Sequence, residues 1–170
     1  MKLYGKWAAC LVGAVGYGAA LWLWPFAPVT FLLGVAVCGY ITRLLHELGH
    51  LLACRLLGLQ LTRLRFLGLV FEPGKGVAID RDARWFSSGC SFAYSPQGPA
   101  RRYILALLGG GISTLLLAVL AGVPALFTAG RLQVFLWTLS AVAAVDGLGN
   151  LLIPGSPDRK LIRQVRHNQK

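Results

Sequence analysis

Four long apolar segments constrain what this chain can fold into more than any other feature of its sequence. They cover approximately residues 7–24, 28–57, 103–127 and 132–153. An α-helix crosses the hydrocarbon layer of a bilayer with ~20 residues; three of the segments are close to that length, and the second is longer than a bilayer requires. Only 14% of the 170 residues are charged, well below the roughly one quarter found in soluble domains. The sequence therefore predicts an α-helical membrane protein with about four transmembrane helices, built as a single domain over residues 1–170.

The stretch 58–102 is the sizeable part of the sequence that lies between these segments. Apolar and polar residues partly alternate over residues 61–66, and two β-rich runs, 69–71 and 77–79, flank a Pro-Gly turn. This pattern is typical of a β-hairpin. Residues 85–99 are rich in Ser, Gly and Pro, which indicates an irregular loop. We therefore expect a small β-hairpin or sheet on the membrane surface, followed by a loop.

The basic residues, which give a net charge of +11, are distributed unevenly around the apolar segments. Fourteen of the 17 Lys and Arg residues precede the first segment, separate the second from the third, or follow the fourth: Lys2, Lys6; Arg63, Arg65, Lys75, Arg81, Arg84, Arg101, Arg102; Arg159, Lys160, Arg163, Arg166, Lys170. The loops on the opposite side hold only Arg131. By the positive-inside rule, both termini and the β-rich stretch are expected in the cytoplasm. Residues 159–170 would form a basic tail there.

This charge distribution also bears on partners and location. We attribute the basic character to membrane orientation and to contact with the anionic lipid of the bilayer, and we expect no nucleic-acid partner. A small multi-pass protein without organelle signals fits a bacterial inner membrane.

Residues 46–50, near the end of the second segment, read His-Glu-Leu-Gly-His. On a helix His46 and His50 lie four residues apart on one face, so both imidazoles can reach one Zn²⁺ ion. Glu47 would then lie beside the open coordination position as a candidate general base. Ionisable side chains so close together in a membrane segment are costly and indicate a functional site. The competing interpretation is a buried polar helix whose histidines are satisfied by their neighbours.

A catalytic zinc ion usually takes a third protein ligand, and two aspartates at the fourth apolar segment are candidates. Asp158 follows residues 154–157, which read Pro-Gly-Ser-Pro. Because proline and glycine end or unwind a helix, the chain could fold back there and bring Asp158 to the zinc. We favour Asp158 as the ligand. Asp146 is the alternative ligand, or else a partner that orients a histidine.

Three consecutive glycines, residues 109–111, lie in the third apolar segment. Glycines in a membrane helix remove side-chain bulk and let a neighbouring backbone approach closely. The expected neighbour is the helix that carries His46 and His50.

The chain resembles the site-2 protease family of intramembrane zinc metalloproteases at three separate places. The first is the His-Glu-Leu-Gly-His motif. The second is residues 110–114, at the position of the family's Gly-Pro-x-x-Asn element. The third is Asn150 followed by Pro154 and Asp158, which looks like the family's Asn-x-x-Pro…Asp-Gly motif. Arg159 stands where family members commonly have glycine. The resemblance covers approximately residues 28–160.

This resemblance implies a zinc metalloendopeptidase that cleaves transmembrane or hydrophobic leader-peptide substrates near the cytoplasmic leaflet. It also implies that Asn150 binds the substrate backbone and that the strands within residues 61–79 present an edge to an extended substrate. The sequence has neither a PDZ-like insertion nor a sensor domain, so this is a minimal form, and a separate regulatory protein could fill that role. Two alternatives stay open: a non-catalytic protein that binds a membrane partner, and a metal-transport protein.

Overall fold

The computed structural model describes residues 3–66, 68–80, 88–93 and 99–167 of the chain. The described part is mostly helical, with one small sheet between the second and third helices. The helices are α1 (Leu3–Leu23), α2 (Pro28–Leu56), α3 (Ala100–Ala125), α4 (Gly130–Leu152) and α5 (Pro157–His167). The strands are β1 (Leu61–Phe66), β2 (Leu69–Glu72), β3 (Gly76–Ile79) and β4 (Gly89–Phe92).

Three stretches of helix are long and apolar enough to cross a membrane. They are Pro28–Leu56, Ala100–Ala125 and Gly130–His167, the last of which contains α4. Large apolar side chains cover the outside of these helices, as at Leu32 and Val145, which are 73% and 74% exposed. Such a surface is unfavourable in water, and three of the four predicted spans are thus present as helices that could cross a membrane. The apolar part of α1, Trp7–Leu23, is shorter, and a fourth span there stays a prediction.

Helices α2 and α3 approach one another closely where glycines face each other. A Cβ atom on Gly49 of α2 would lie 2.6 Å from the carbonyl oxygen of Gly109 in α3, and one on Gly109 would lie 2.7 Å from the Cβ of Ala53. Neither position has room for a larger residue. The expected close approach between the glycine-rich helix and the motif helix is therefore confirmed. Helix α3 also packs along α4.

The sheet is antiparallel, with the strand order β3-β2-β1-β4. Strands β2 and β3 pair from Leu69 with Ile79 to Glu72 with Gly76, and Gly74 in their turn has a φ of +83°, a conformation that favours glycine. The hairpin expected over residues 61–79 is thus present as part of a larger sheet.

Strand β4 corrects the expectation of an irregular loop over residues 85–99. Gly89–Phe92 pairs with the free side of β1, with Leu64 opposite Cys90. A four-residue strand that reads Gly-Cys-Ser-Phe has little intrinsic β-propensity, so its pairing depends on the β1 edge that tertiary structure provides. Most of the remaining residues of that stretch lie outside the described part of the chain.

Helix α5 corrects the expectation that residues 159–170 form a basic tail. Its residues Ile162 and Val165 are buried against Tyr103 and Leu107 of α3. Its start has a sequence signal, because the Oγ of Ser156 accepts a hydrogen bond from the backbone N–H of Arg159 (3.4 Å) and proline follows Ser156. A serine N-cap followed by proline at the first helical position is a recognised helix start.

Candidate metal centre

The end of α2 presents three ionisable side chains to the interior of the helix bundle. His46 is 1% exposed, Glu47 is 2% exposed and His50 is 4% exposed. Helices α3 and α4 both pack against α2, so these side chains are enclosed by protein. Burying groups of this kind requires partners that compensate for lost hydration.

His46, His50 and Asp158 converge on one point. The Nε2 atoms of the two histidines are 3.1 Å apart. The Oδ2 atom of Asp158 lies 3.2 Å from the Nε2 of His46 and 3.5 Å from that of His50. Four-coordinate zinc with bonds of about 2.0–2.1 Å separates its ligand atoms by about 3.3 Å, which lies within this range of separations. These three residues, two buried histidines and a half-buried aspartate, could bind a metal ion.

The far side of each imidazole is in contact with protein at Nδ1, which leaves Nε2 facing the converging group. The Nδ1 of His50 lies 2.9 Å from the carbonyl oxygen of Ala106 and 3.3 Å from the backbone nitrogen of Gly110. In the tautomer in which Nδ1 donates to the carbonyl, Nε2 keeps its lone pair. The Nδ1 of His46 lies 3.1 Å from Oδ2 of Asp146 and donates in the same way. Two Nε2 lone pairs that face each other repel unless a cation lies between them, and metal-binding histidines commonly show this outer hydrogen bond.

Asp146 therefore contacts the opposite side of His46 from Asp158. Of the two aspartates that the sequence left open, Asp158 belongs to the converging group and Asp146 to the histidine's outer hydrogen bond. The two carboxylates flank one imidazole, which is the arrangement expected if Asp158 is the ligand and Asp146 orients the histidine.

Glycine at position 110 is required by the space that the imidazoles occupy. A Cβ atom there would lie 2.5 Å from the Nε2 atoms of both His46 and His50. Real Cβ atoms do not approach other atoms so closely, and these imidazoles are held by hydrogen bonds on their far sides. Gly110 thus keeps open the volume next to the two donor atoms.

A tight connection between α4 and α5 brings Asp158 to this point. The Oγ of Ser156 donates a hydrogen bond to the carbonyl oxygen of Asn150 (3.0 Å), and the side chain of Arg159 donates to the carbonyl of Leu151. Both contacts satisfy carbonyl groups that the end of α4 leaves without helical partners. The helix ends as its Pro-Gly-Ser-Pro sequence predicts, and the chain folds back.

Glu47 follows His46 in α2, with one oxygen near a cation and one without a hydrogen-bond partner among the described residues. Its Oε1 is 3.6 Å from Nε of Arg43, whereas its Oε2 is buried without a hydrogen-bond partner among the described residues. An unpartnered buried carboxylate oxygen is costly and is a natural position for a water molecule or a substrate group.

Arg43, which no sequence motif singled out, contacts three groups. Besides Glu47, its side chain lies 3.7 Å from Oδ1 of Asp146 and donates a hydrogen bond to Ser88 (2.6 Å). The sequence did contain a signal for Arg43, since a cation inside an apolar segment is unusual. Arg43 also lies one helical turn before Glu47, and residues four apart on a helix are neighbours.

Asn150 is held within its own helix. Its Nδ2 donates a hydrogen bond to the carbonyl oxygen of Asp146, at 3.0 Å. Its role in binding substrate stays a prediction. Of the strands within residues 61–79, β3 forms an edge of the described sheet, and the other edge is β4.

In comparisons with protein-family models, curated proteins and solved structures, none matches this chain.

Proposed function

We propose that this chain is an intramembrane zinc metallopeptidase. The observation that carries the proposal is the convergence of the Nε2 atoms of His46 and His50 with Oδ2 of Asp158, at separations of 3.1, 3.2 and 3.5 Å. Glu47, which follows His46 in α2 and keeps a buried oxygen without a hydrogen-bond partner among the described residues, is the candidate for the second requirement, a base. The resemblance to the site-2 protease family supports the same assignment.

The donor set suits zinc. Two imidazole nitrogens and one carboxylate oxygen are the ligands of several catalytic zinc sites, which keep a fourth position open for water. Zinc in such a site supplies a water molecule of lowered pKa and polarises a carbonyl group. Gly110 leaves the space next to the donors, since a side chain there would meet both imidazoles.

Each remaining group has a role that follows from its contacts. Glu47 accepts a proton at Oε2 from the attacking water and returns it to the amide nitrogen that leaves. Arg43 holds the other oxygen of Glu47, and its contact with Asp146 joins the base to the hydrogen bond that orients His46. The carbonyl of Ala106 orients His50 in the same way. Asn150 would bind the substrate backbone, as the family resemblance implies.

The proposed substrates are transmembrane segments or hydrophobic leader peptides. His46 lies about 27 Å along α2 from Pro28 at a rise of about 1.5 Å per residue, and thus near the end of the helix that leads into the sheet. The distribution of basic residues assigns that end to the cytoplasmic side, so cleavage would occur near the inner leaflet of a bacterial membrane. A metal-transport function finds little support, because the one other histidine, His167, is exposed on α5.

The test is hydrolysis in water enriched in ¹⁸O. The full chain is reconstituted in liposomes with a panel of synthetic transmembrane peptides and leader peptides, and products are identified by mass spectrometry. We expect fragments whose new carboxyl groups carry ¹⁸O from the wild type and none from Glu47→Gln, which should still bind zinc. Glu72→Gln, on the sheet, is the matched control and should cleave normally. Turnover by Glu47→Gln would overturn the mechanism.

A further inference from the structure

Helix α5 has two unlike faces. Ile162 and Val165 are buried against α3, whereas Lys160 and Arg163 are exposed. Residues three apart on a helix are neighbours, so these two cations form one charged stripe, and the exposed side chain of Arg166 continues it. An 11-residue helix is too short to cross a bilayer, but a helix with an apolar face and a cationic face suits the surface of one.

The first turn of α3 adds two more cations beside this stripe. Arg101 and Arg102 are both exposed, and Ala100 packs against the cluster that contains Val165, so the end of α5 lies next to the start of α3. That first turn contains no acidic residue. Because the N-terminus of a helix itself carries partial positive charge, two arginines there raise the local positive potential. We call these residues the α3–α5 basic surface: Arg101, Arg102, Lys160, Arg163 and Arg166.

Within the described part of the chain, none of these five cations forms an ion pair. The basic residues of the sheet differ in this respect. Arg63 lies 3.1 Å from Glu72, and Lys75 lies 3.0 Å from the same carboxylate. The hydrogen bond from Lys75 holds the pKa of Glu72 below its usual value. The cations of the sheet are thus paired with Glu72. The α3–α5 basic surface has no such partner among the described residues, so an anion that pairs with it would come from outside them.

We propose that the α3–α5 basic surface binds the anionic phospholipid headgroups of the surrounding membrane. Helix α3 is apolar enough to span the bilayer, so its first turn lies at the depth of the headgroups. Arginine forms paired hydrogen bonds with phosphate oxygens, and a basic residue near an anionic membrane strengthens binding about fivefold. This inference goes beyond the proposed peptidase function and does not depend on it.

The test uses the full chain in detergent with equal amounts of phosphatidylglycerol and phosphatidylcholine, and native mass spectrometry counts the lipids retained. We expect the wild type to retain phosphatidylglycerol preferentially. The double variant Lys160→Gln/Arg163→Gln should lose about 25-fold of that preference, since each cation contributes about fivefold. The charge-reversed variant Lys160→Glu/Arg163→Glu should lose more, and thermal unfolding of both should match the wild type because the side chains are exposed.

The matched control is Arg63→Gln/Lys75→Gln, which removes the same charge from paired residues of the sheet. It should retain the wild-type lipid preference. An equal loss in both double variants would show that only net charge matters and would overturn the proposal. A wild type that retains both lipids equally would also overturn it, and would direct attention to an acidic protein partner instead.

Discussion

Oδ2 of Asp146 lies 3.1 Å from Nδ1 of His46, while the Nε2 atom of the same ring faces Asp158 at 3.2 Å. Asp146 belongs to α4 and Asp158 to the first turn of α5, 12 residues apart in sequence. Asp146 orients the imidazole through Nδ1. Asp158 lies at Nε2, where both residues would bind the same metal ion. The predictions below depend on this division of roles.

Asp146 and Asp158 should differ in how much they contribute to zinc affinity. Asp158→Asn removes a donor and should abolish tight binding, whereas Asp146→Asn removes only the orienting hydrogen bond and should weaken binding about 10- to 100-fold. Zinc titration against a competing chelator measures both. Asp80→Asn, which alters an ion pair with Arg65 on the sheet, serves as the control. The division of roles is wrong if the Asp146 variant loses more affinity than the Asp158 variant.

Gly110→Ala should remove zinc without comparable loss elsewhere in the fold. The new Cβ would lie 2.5 Å from both Nε2 atoms, so the imidazoles must turn away from each other and from Asp158. Gly13→Ala is the matched control, because a Cβ there meets nothing within 4 Å. Zinc content and thermal unfolding are measured side by side. Normal zinc binding by Gly110→Ala would contradict the position assigned to the metal.

Ser156→Ala should destabilise the start of α5 and, with it, the position of Asp158. Its hydroxyl bridges the carbonyl of Asn150 and the N–H of Arg159, and loss of an N-cap costs about 1 kcal/mol. We expect a lower thermal midpoint and weaker zinc binding. Ser156→Thr, which keeps a hydroxyl, should lie close to the wild type. Unchanged zinc affinity in Ser156→Ala would mean that α5 holds Asp158 without this cap.

Arg43→Gln should lower turnover while zinc stays bound. The side chain contacts Glu47 at 3.6 Å and Asp146 at 3.7 Å, but it is not part of the group that could bind the metal. Its loss leaves the carboxylate of Glu47 without its cation, and a base in the wrong orientation loses part of the roughly 10²–10⁴-fold that general-base catalysis supplies. Arg43→Lys should restore part of the rate. The measurement is single-turnover cleavage of a synthetic peptide that the wild type cleaves in the ¹⁸O experiment, with zinc content measured in parallel.

The sequence predicted those features that depend on local pattern. Three apolar segments of membrane-spanning length, the pairing of His46 with His50 four residues later, and the break that returns Asp158 to the bundle all follow from periodicity and from proline chemistry. Gly109 and Gly110 indicated close helix packing, because small residues in a membrane helix have few other uses.

The features that were missed depend on contacts between distant parts of the chain. Strand β4 forms because the edge of β1 is available, which no local pattern in Gly-Cys-Ser-Phe reveals. The serine cap and proline that begin α5 were readable, but the basic residues around Ile162 and Val165 favoured a solvated tail. Arg43 acquires its meaning only when α4 brings Asp146 to within 3.7 Å of its side chain.

Elemental mass spectrometry of the detergent-purified chain, beside His50→Ala, would decide whether the buried group is a metal site. We expect about one zinc ion per wild-type chain, as in other three-ligand sites, and little or none in the variant. A correctly folded wild type without metal would contradict this. The contacts of His46 would then be those of a protonated imidazole held between Asp146 and Asp158, and the proposed peptidase function would fall with the metal site.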